Sequence, residues 1–231
     1  MAIKLYDLAG AEEDRRFSPN CWRTRMALAH KRLDVEAVPW RFVEKDAIAA
    51  SGQGAVPVIV DAGTTVFDSW TIANYLEDRY PDRPSLFGGG GGRALARFVN
   101  NWTNTVVNPG LFRMIVKDIW DHVDAKDRDY FRQSREQRLG ATLEQTVADR
   151  DAKVVAFRTS LQPLRTTLEA QPFLGGAAPN YADYSVFGGF QWARCISPFK
   201  ILDDGDPVAA WRQRLLDAFD GLAGKSKGYP C

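Results

Sequence analysis

Residues 55–70, AVPVIVDAGTTVFDSW, constrain the fold of this 231-residue chain more tightly than any other stretch. Pro57 enters a run of β-branched residues, Val58, Ile59 and Val60. A turn over 61–63 and a second short strand over 64–67 follow, and Asp68-Ser69 then head a helix. Proline has no amide hydrogen to give to a ladder, so it belongs at the start of a strand. Bonds to proline are also where cis peptides occur, and Val56-Pro57 is a candidate for one. A cis-proline offers the N–H and C=O of the residue before it to a ligand. Asp68 and Ser69 lie where an ammonium and a carboxylate can be held beside it. Together these features describe a site for a small peptide carrying both charges. Taken singly, Pro57 is a strand-entry proline, and Asp68 and Ser69 are helix caps.

The flanking sequence extends this hairpin into a domain. Residues 3–7 alternate as a strand, and 8–17 are polar and loop-like. Ser18-Pro19 opens a helix, with serine at the cap and proline at the first helical position. Trp22, Met26, Ala29 and Leu33 give that helix one apolar face. A strand follows over 35–40, and 41–53 are irregular with a short helical turn. A helix over 70–80 is stopped by Pro81 and Pro84. A strand–helix–strand unit implies a parallel pair with a right-handed crossover. The hairpin beside it completes a mixed four-stranded sheet.

Five consecutive glycines, 88–92, are the strongest boundary signal. Beyond them the pattern is helical. One helix is expected to end near Asn108-Pro109-Gly110, with a short continuation over 111–120. Another is expected over 129–149, a third over 154–168 in which Pro163 bends the helix or starts a new turn, a fourth from Asn180, and a last over 207–222. The expected organisation is a thioredoxin-like α/β domain over 1–86, a glycine-rich linker over 87–92, and an all-α helical domain over 93–231.

Composition narrows the chemistry. Hydrophobic residues make up 45% and charged residues 26%, as in a soluble globular protein. A net charge of +1 gives no field to attract nucleic acid or an acidic membrane. No run approaches the roughly 18 apolar residues of a membrane span. Cys21, Cys195 and Cys231 are odd in number and far apart, so neither a disulfide framework nor a metal cluster is expected. His30 and His122 are too few and too isolated for a metal site, and a reducing cytoplasm is the expected home.

Two residues of the first helix are candidates for chemistry. The Ser18 hydroxyl lies at a helix start, where an anion is favoured. A thiolate there accepts a hydrogen bond from it. Lowering a thiol pKa of roughly 8.5 by about two pH units takes roughly 2.7 kcal/mol. A charge-assisted hydrogen bond together with a helix terminus is of that order. The ordinary role of such a serine is capping alone. Cys21 is either a reactive thiol or a small buried hydrophobe beside Trp22 and Met26. Asn180 and Asp183 read as a structural capping pair.

Set in order along the chain, these pieces resemble a cytosolic glutathione transferase, and the resemblance covers essentially the whole length. Ser18-Pro19-Asn20-Cys21-Trp22-Arg23-Thr24, Val56-Pro57-Val58-Ile59-Val60-Asp61, Asp68-Ser69-Trp70 and Tyr80-Pro81-Asp82-Arg83-Pro84 carry it. Leu174-Gly175-Gly176-Ala177-Ala178-Pro179-Asn180-Tyr181-Ala182-Asp183 carries it in the second half. The same segments are similar to bacterial β-etherases that cleave lignin-derived aryl ethers, and to related fungal glutathione transferases. The resemblance implies glutathione as co-substrate, with no metal. Ser18 would donate a hydrogen bond to its thiolate. Asn20 and Pro57 would help to bind the tripeptide, the Val56 backbone would pair with its cysteinyl part, Asp68 and Ser69 would hold the γ-glutamyl group, and Lys45 the glycine carboxylate, with Arg41 a rival. A hydrophobic second substrate would lie against Trp102, Phe112, Arg113, Trp120, Tyr184 and Phe187. One departure is Arg32, where the family has a glycine in the left-handed region, at a cost of about 1 kcal/mol.

The implied activity is attack of the glutathione thiolate on a hydrophobic, aromatic electrophile, in the β-etherase case with release of an aryloxide. A carrier of glutathione conjugates or aromatic ligands on the same fold is the alternative. A thiol reductase acting through Cys21 is a third. The family also implies a cytoplasmic homodimer.

Overall fold

A computed structural model describes residues 2–230; Met1 and Cys231 lie outside the described residues. The first part of the chain forms β1 (Ile3–Leu8), α1 (Pro19–His30), β2 (Val35–Trp40), β3 (Val58–Asp61), β4 (Thr64–Phe67) and α2 (Ser69–Arg79). A 3₁₀ turn, Lys45–Ser51, lies between β2 and β3. The strands order as β2-β1-β3-β4 in one mixed sheet. β1 runs parallel to β2 with Ile3 opposite Val35, and β3 is antiparallel to both β1 and β4. This is the thioredoxin-like arrangement expected from the sequence. The Val56-Pro57 peptide is cis. Arg32 has a φ of 53°, so the side chain does occupy a left-handed position.

The second part is helical. Gly88 and Gly89 have positive φ, while Gly90 to Gly92 already wind into the first turn of α3 (Gly90–Trp102). α4 (Asn108–His122), α5 (Arg128–Leu139), α6 (Leu143–Val147), α7 (Arg150–Ser160), α8 (Gln162–Ala170), α9 (Tyr181–Ile196) and α10 (Pro207–Gly221) follow. Two expectations need correcting. The chain does not leave the helix at Asn108-Pro109-Gly110. Pro109 has no N–H for the preceding turn, and the helix absorbs this by widening into a π turn, Thr103–Val107, before running on as α4. The stretch 129–149 is not one helix. Gly140, at a φ of 67°, ends α5, and Thr142 starts α6 with a reciprocal capping box to Gln145. Pro163 sits in the first turn of α8 and separates it from α7, as a proline inside an apolar repeat requires.

α9 is the axis of the molecule, with all but one of its residues buried. Each large apolar side chain so buried contributes about 1.5–3 kcal/mol. Two glycines let α9 come this close to its neighbours. A Cβ on Gly188 would meet the Pro19 carbonyl at 2.3 Å, and one on Gly189 the Asn108 side chain at 2.6 Å. The start of α1 and the start of α4 are thus both pressed against α9. Arg23 of α1, 1% exposed, ties α1 to α9, to α3 and to the π turn. It donates to the Ser185 carbonyl at 3.1 Å, to Asn100 at 3.1 Å and to Asn104 at 2.9 Å.

Candidate functional site

A cavity of about 600 Å³ opens between the sheet domain and the helical domain. The first domain contributes Ser18, Pro19 and Asn20 from the start of α1, Trp40 from the end of β2, and Gly54 to Val56 from the approach to β3. The second contributes Asn104 and Asn108 from the π turn and its continuation, and Phe112 and Arg113 from α4. Tyr130, Arg135 and Arg138 of α5 and Trp192 of α9 complete that wall.

Ser18 caps α1. Its φ and ψ, −81° and 126°, are extended, and its Oγ accepts the Cys21 N–H at 3.2 Å. The same hydroxyl lies within hydrogen-bond reach of the Cys21 thiol, a weak acceptor, and the residue is only 5% exposed. The serine is therefore both a cap and a cavity-facing donor at the positive end of a helix, so the two readings of Ser18 are compatible. Cys21 is different. It is fully buried, and burial first and the adjacent Asp7 second push its thiol well above the usual range. A neutral, enclosed thiol is a poor nucleophile.

Val56 and Asn20 line the cavity; Pro57 is buried and does not. Asp68 and Ser69 lie further along, outside the cavity lining. Asp68 caps α2 from the unusual φ of 66°, accepting from the Thr71 amide at 2.9 Å and its hydroxyl at 3.1 Å. A non-glycine residue at such a φ costs of order 1–3 kcal/mol and persists only where its surroundings impose it. The Ser69 carbonyl accepts the Tyr181 hydroxyl at 2.8 Å, which fixes the start of α2 against α9. Lys45 is exposed at the rim, 5.3 Å from the Tyr130 ring centroid, and pairs with no carboxylate among the described residues. Its rival Arg41 is committed to Asp124 at 3.2 Å and also faces Glu13 and Glu44. Asp183 bears out its structural role, accepting from the amides of Leu174, Gly175 and Asn180 and from the Trp211 indole.

Of six residues expected around a second substrate, the cavity gathers two, Phe112 and Arg113. The other four do not line it. Tyr184 is fully buried and bonds His30 at 2.6 Å. Phe187 is fully buried, edge-on to Trp211. Trp120 is covered by Lys117, Arg128 and Arg132, and its neighbour Ile119 takes the cavity-facing place. Trp102 packs against the core at the end of α3. On α9, buried on every side, aromatic identity carries no information about which side meets the cavity. Trp192 does so, stacked on Phe112 at 6.0 Å and 19°. Arg135 and Arg138 were also missed. Their three-residue spacing on one helix face was a legible signal, but which face meets the cavity was not.

Among the described residues no group of His, Cys, Asp and Glu is placed to hold a metal ion. No helix there is long and apolar enough to cross a membrane.

A model of the glutathione S-transferase C-terminal domain matches residues 94–217, and one of the N-terminal domain matches residues 14–84. Glutathione S-transferase Z1 of Arabidopsis thaliana is 36% identical over 69 residues, 28% of this chain. That match spans about a third of the plant protein, 31%. The probable glutathione S-transferase GSTU6 of Oryza sativa subsp. japonica is 26% identical over 226 residues, 89% of this chain and 84% of that protein. Among solved structures, glutathione transferase GSTFuA3 of Phanerochaete chrysosporium superposes with a TM-score of 0.83 at 25% identity, covering 96% of this chain and 97% of that one. A glutathione S-transferase of Ceriporiopsis subvermispora in complex with glutathione shares the fold, with a TM-score of 0.81 at 23% identity over 95% of this chain and 97% of that one.

Proposed function

This chain belongs to the glutathione S-transferase family, and on that premise we propose that it binds glutathione and directs its thiolate at an aromatic electrophile. The Ser18 hydroxyl donates a hydrogen bond to the thiolate sulfur, and the start of α1 adds a favourable field for the anion. The Val56 backbone pairs with the cysteinyl unit. Asp68 and Ser69 receive the γ-glutamyl group, and Lys45 takes the glycine carboxylate. The second substrate lies against Phe112 and Trp192. Holding the two reactants side by side adds to the rate beyond activation of the sulfur. The chain acts as a homodimer in the manner of its family.

The observation that carries this reading is the meeting of two unlike walls in one cavity. A hydroxyl donor at a helix start and the residue before a proline face an aromatic slot. The specific reaction we propose is cleavage of an aryl ether on the carbon next to a ketone. The sulfur forms a bond to that carbon, and the aryloxide leaves with the electron pair and takes up a proton.

Isothermal titration with glutathione tests the first step, and no heat at millimolar glutathione overturns it. Incubation with glutathione and either 1-chloro-2,4-dinitrobenzene or an α-aryloxy ketone tests the second. A thioether product from either is expected, together with free phenol from the ketone. Binding without conjugates identifies a carrier instead.

A further inference from the structure

We propose that the helical wall of the cavity selects an aromatic electrophile bearing a carboxylate. This rests on the transferase reading above and specifies its second substrate. Three guanidinium groups, Arg113 of α4 and Arg135 and Arg138 of α5, line the cavity, and no Asp or Glu does. None of the three forms an ion pair among the described residues. The contrast with the rest of α5 is direct, since Arg132 pairs with Glu136 at 2.9 Å and Glu144 at 2.8 Å. Arg150 and Arg165 likewise meet Asp118 and Asp206.

Two of the three groups, Arg135 and Arg138, are held among rings rather than among anions. Arg138 lies 4.5 Å from the Phe112 centroid, on the helix that faces the Phe112–Trp192 stack. Arg135 lies 4.7 Å from Phe131 and 5.1 Å from Phe42, and donates to the Ser134 hydroxyl at 2.9 Å. Burial, and then the charge of Arg138, push the Arg135 pKa down. Aromatic faces partly compensate a cation, but they leave the N–H edges of the guanidinium without the planar acceptor it fits best. A carboxylate on the ring of a substrate in the aromatic slot supplies that acceptor. It also relieves the repulsion between Arg135 and Arg138. The neutral rest of the substrate fits the ring stack, and the reacting carbon is left toward Ser18.

The test compares 4-chloro-3,5-dinitrobenzoate with neutral 1-chloro-2,4-dinitrobenzene on the full chain. Each kcat/KM is divided by the uncatalysed rate of the same compound with glutathione. A preference for the benzoate of roughly tenfold is expected, the scale of one charge-assisted contact. It shrinks as ionic strength rises from about 20 mM to about 0.3 M. Arg113→Gln and Arg138→Gln, both at exposed positions that leave the core untouched, each lower the benzoate-to-neutral ratio about three- to fivefold through the KM of the benzoate. No preference in the parent protein, or a ratio that neither substitution moves, overturns the proposal. So does a loss that falls on the KM of glutathione, because the guanidinium groups then serve the tripeptide. If neither electrophile is conjugated, the transferase reading fails separately. Titration with 2-naphthoate and 2-naphthamide still decides the inference: tighter binding of the acid supports it, and equal binding overturns it.

Discussion

Two helix starts in this molecule look alike in sequence and do different work. α9 begins at Asn180 and Asp183, α1 at Ser18, and each is a capping residue ahead of an apolar helix. At α9 every acceptor is matched. Asp183 takes hydrogen bonds at 2.7, 2.9 and 3.0 Å from three amides and at 2.8 Å from Trp211, and it is wholly buried. At α1 the serine accepts one amide at 3.2 Å, and its hydroxyl, which lines the cavity, meets only the weak acceptor of the Cys21 thiol. A cap whose hydrogen bonds are all used holds the fold. A cap whose donor meets only a weak thiol acceptor, at a helix start that faces open space, is available to a ligand.

The largest effect expected from breaking this comparison is on stability, at α9. Asp183→Ala strands four buried donors and is expected to cost about 3–5 kcal/mol, read as the shift of the urea midpoint at constant slope. A cost below about 1 kcal/mol would show that the four contacts are not made together.

The matching change at α1 is expected to act on activity. Ser18→Ala lowers turnover about 10- to 1000-fold and moves the pH–rate profile upward, as loss of one donor to an anion does. Its cost in stability is only about 1 kcal/mol, that of a single cap. An unchanged pH–rate profile would remove Ser18 from the chemistry and make the two helix starts equivalent.

A third prediction concerns the back of α1, away from the cavity. His30 donates to the Ser85 carbonyl at 3.0 Å and, as the neutral ring, accepts the Tyr184 hydroxyl at 2.6 Å. Burial lowers its pKa below 6.5, only partly offset by the Ser85 contact. The folded state therefore prefers the neutral ring. Its contribution is complete above pH 6.5 and is lost as pH falls through the depressed folded value. Thermal midpoints are expected to drop as pH falls from about 7 to about 5. His30→Gln should remove part of that slope, and an identical slope in the variant would assign the effect elsewhere, His122 being the other ring with a lowered pKa.

The smallest effect sits at the end of the same helix. Arg32→Gly relieves a left-handed side chain at a φ of 53° and should stabilise the chain by up to about 1 kcal/mol, measured by denaturant unfolding. It should leave glutathione kinetics unmoved, since the change is remote from the cavity.

How much of this was legible depended on the range of the interaction that decides it. β2 and β4 fell on the expected residues, and the αL position of Arg32 and the Asn180–Asp183 cap were readable, because each is set by neighbours a few residues away. The continuation of the helix through Pro109 was not readable. The π turn that absorbs the proline lies where α9 packs against it and against the start of α4, contacts distant in the chain. The break at Gly140 carried a local signal, a glycine followed by Thr142 and Gln145, that apolar spacing masked.

By itself the sequence determined the mixed sheet with its proline-led strand, the helical second half, and Ser18 at a helix start, since turn chemistry, caps and periodicity act within a few residues. Only the tertiary structure decided which side chains face the cavity. Cys21 is sealed away from it, Tyr184 and Phe187 face the core, and Trp192, Arg135 and Arg138 face the open space. The physical reason is that a residue's type fixes what it can bond to, whereas the side of a helix on which it finds space depends on packing against segments distant in the chain.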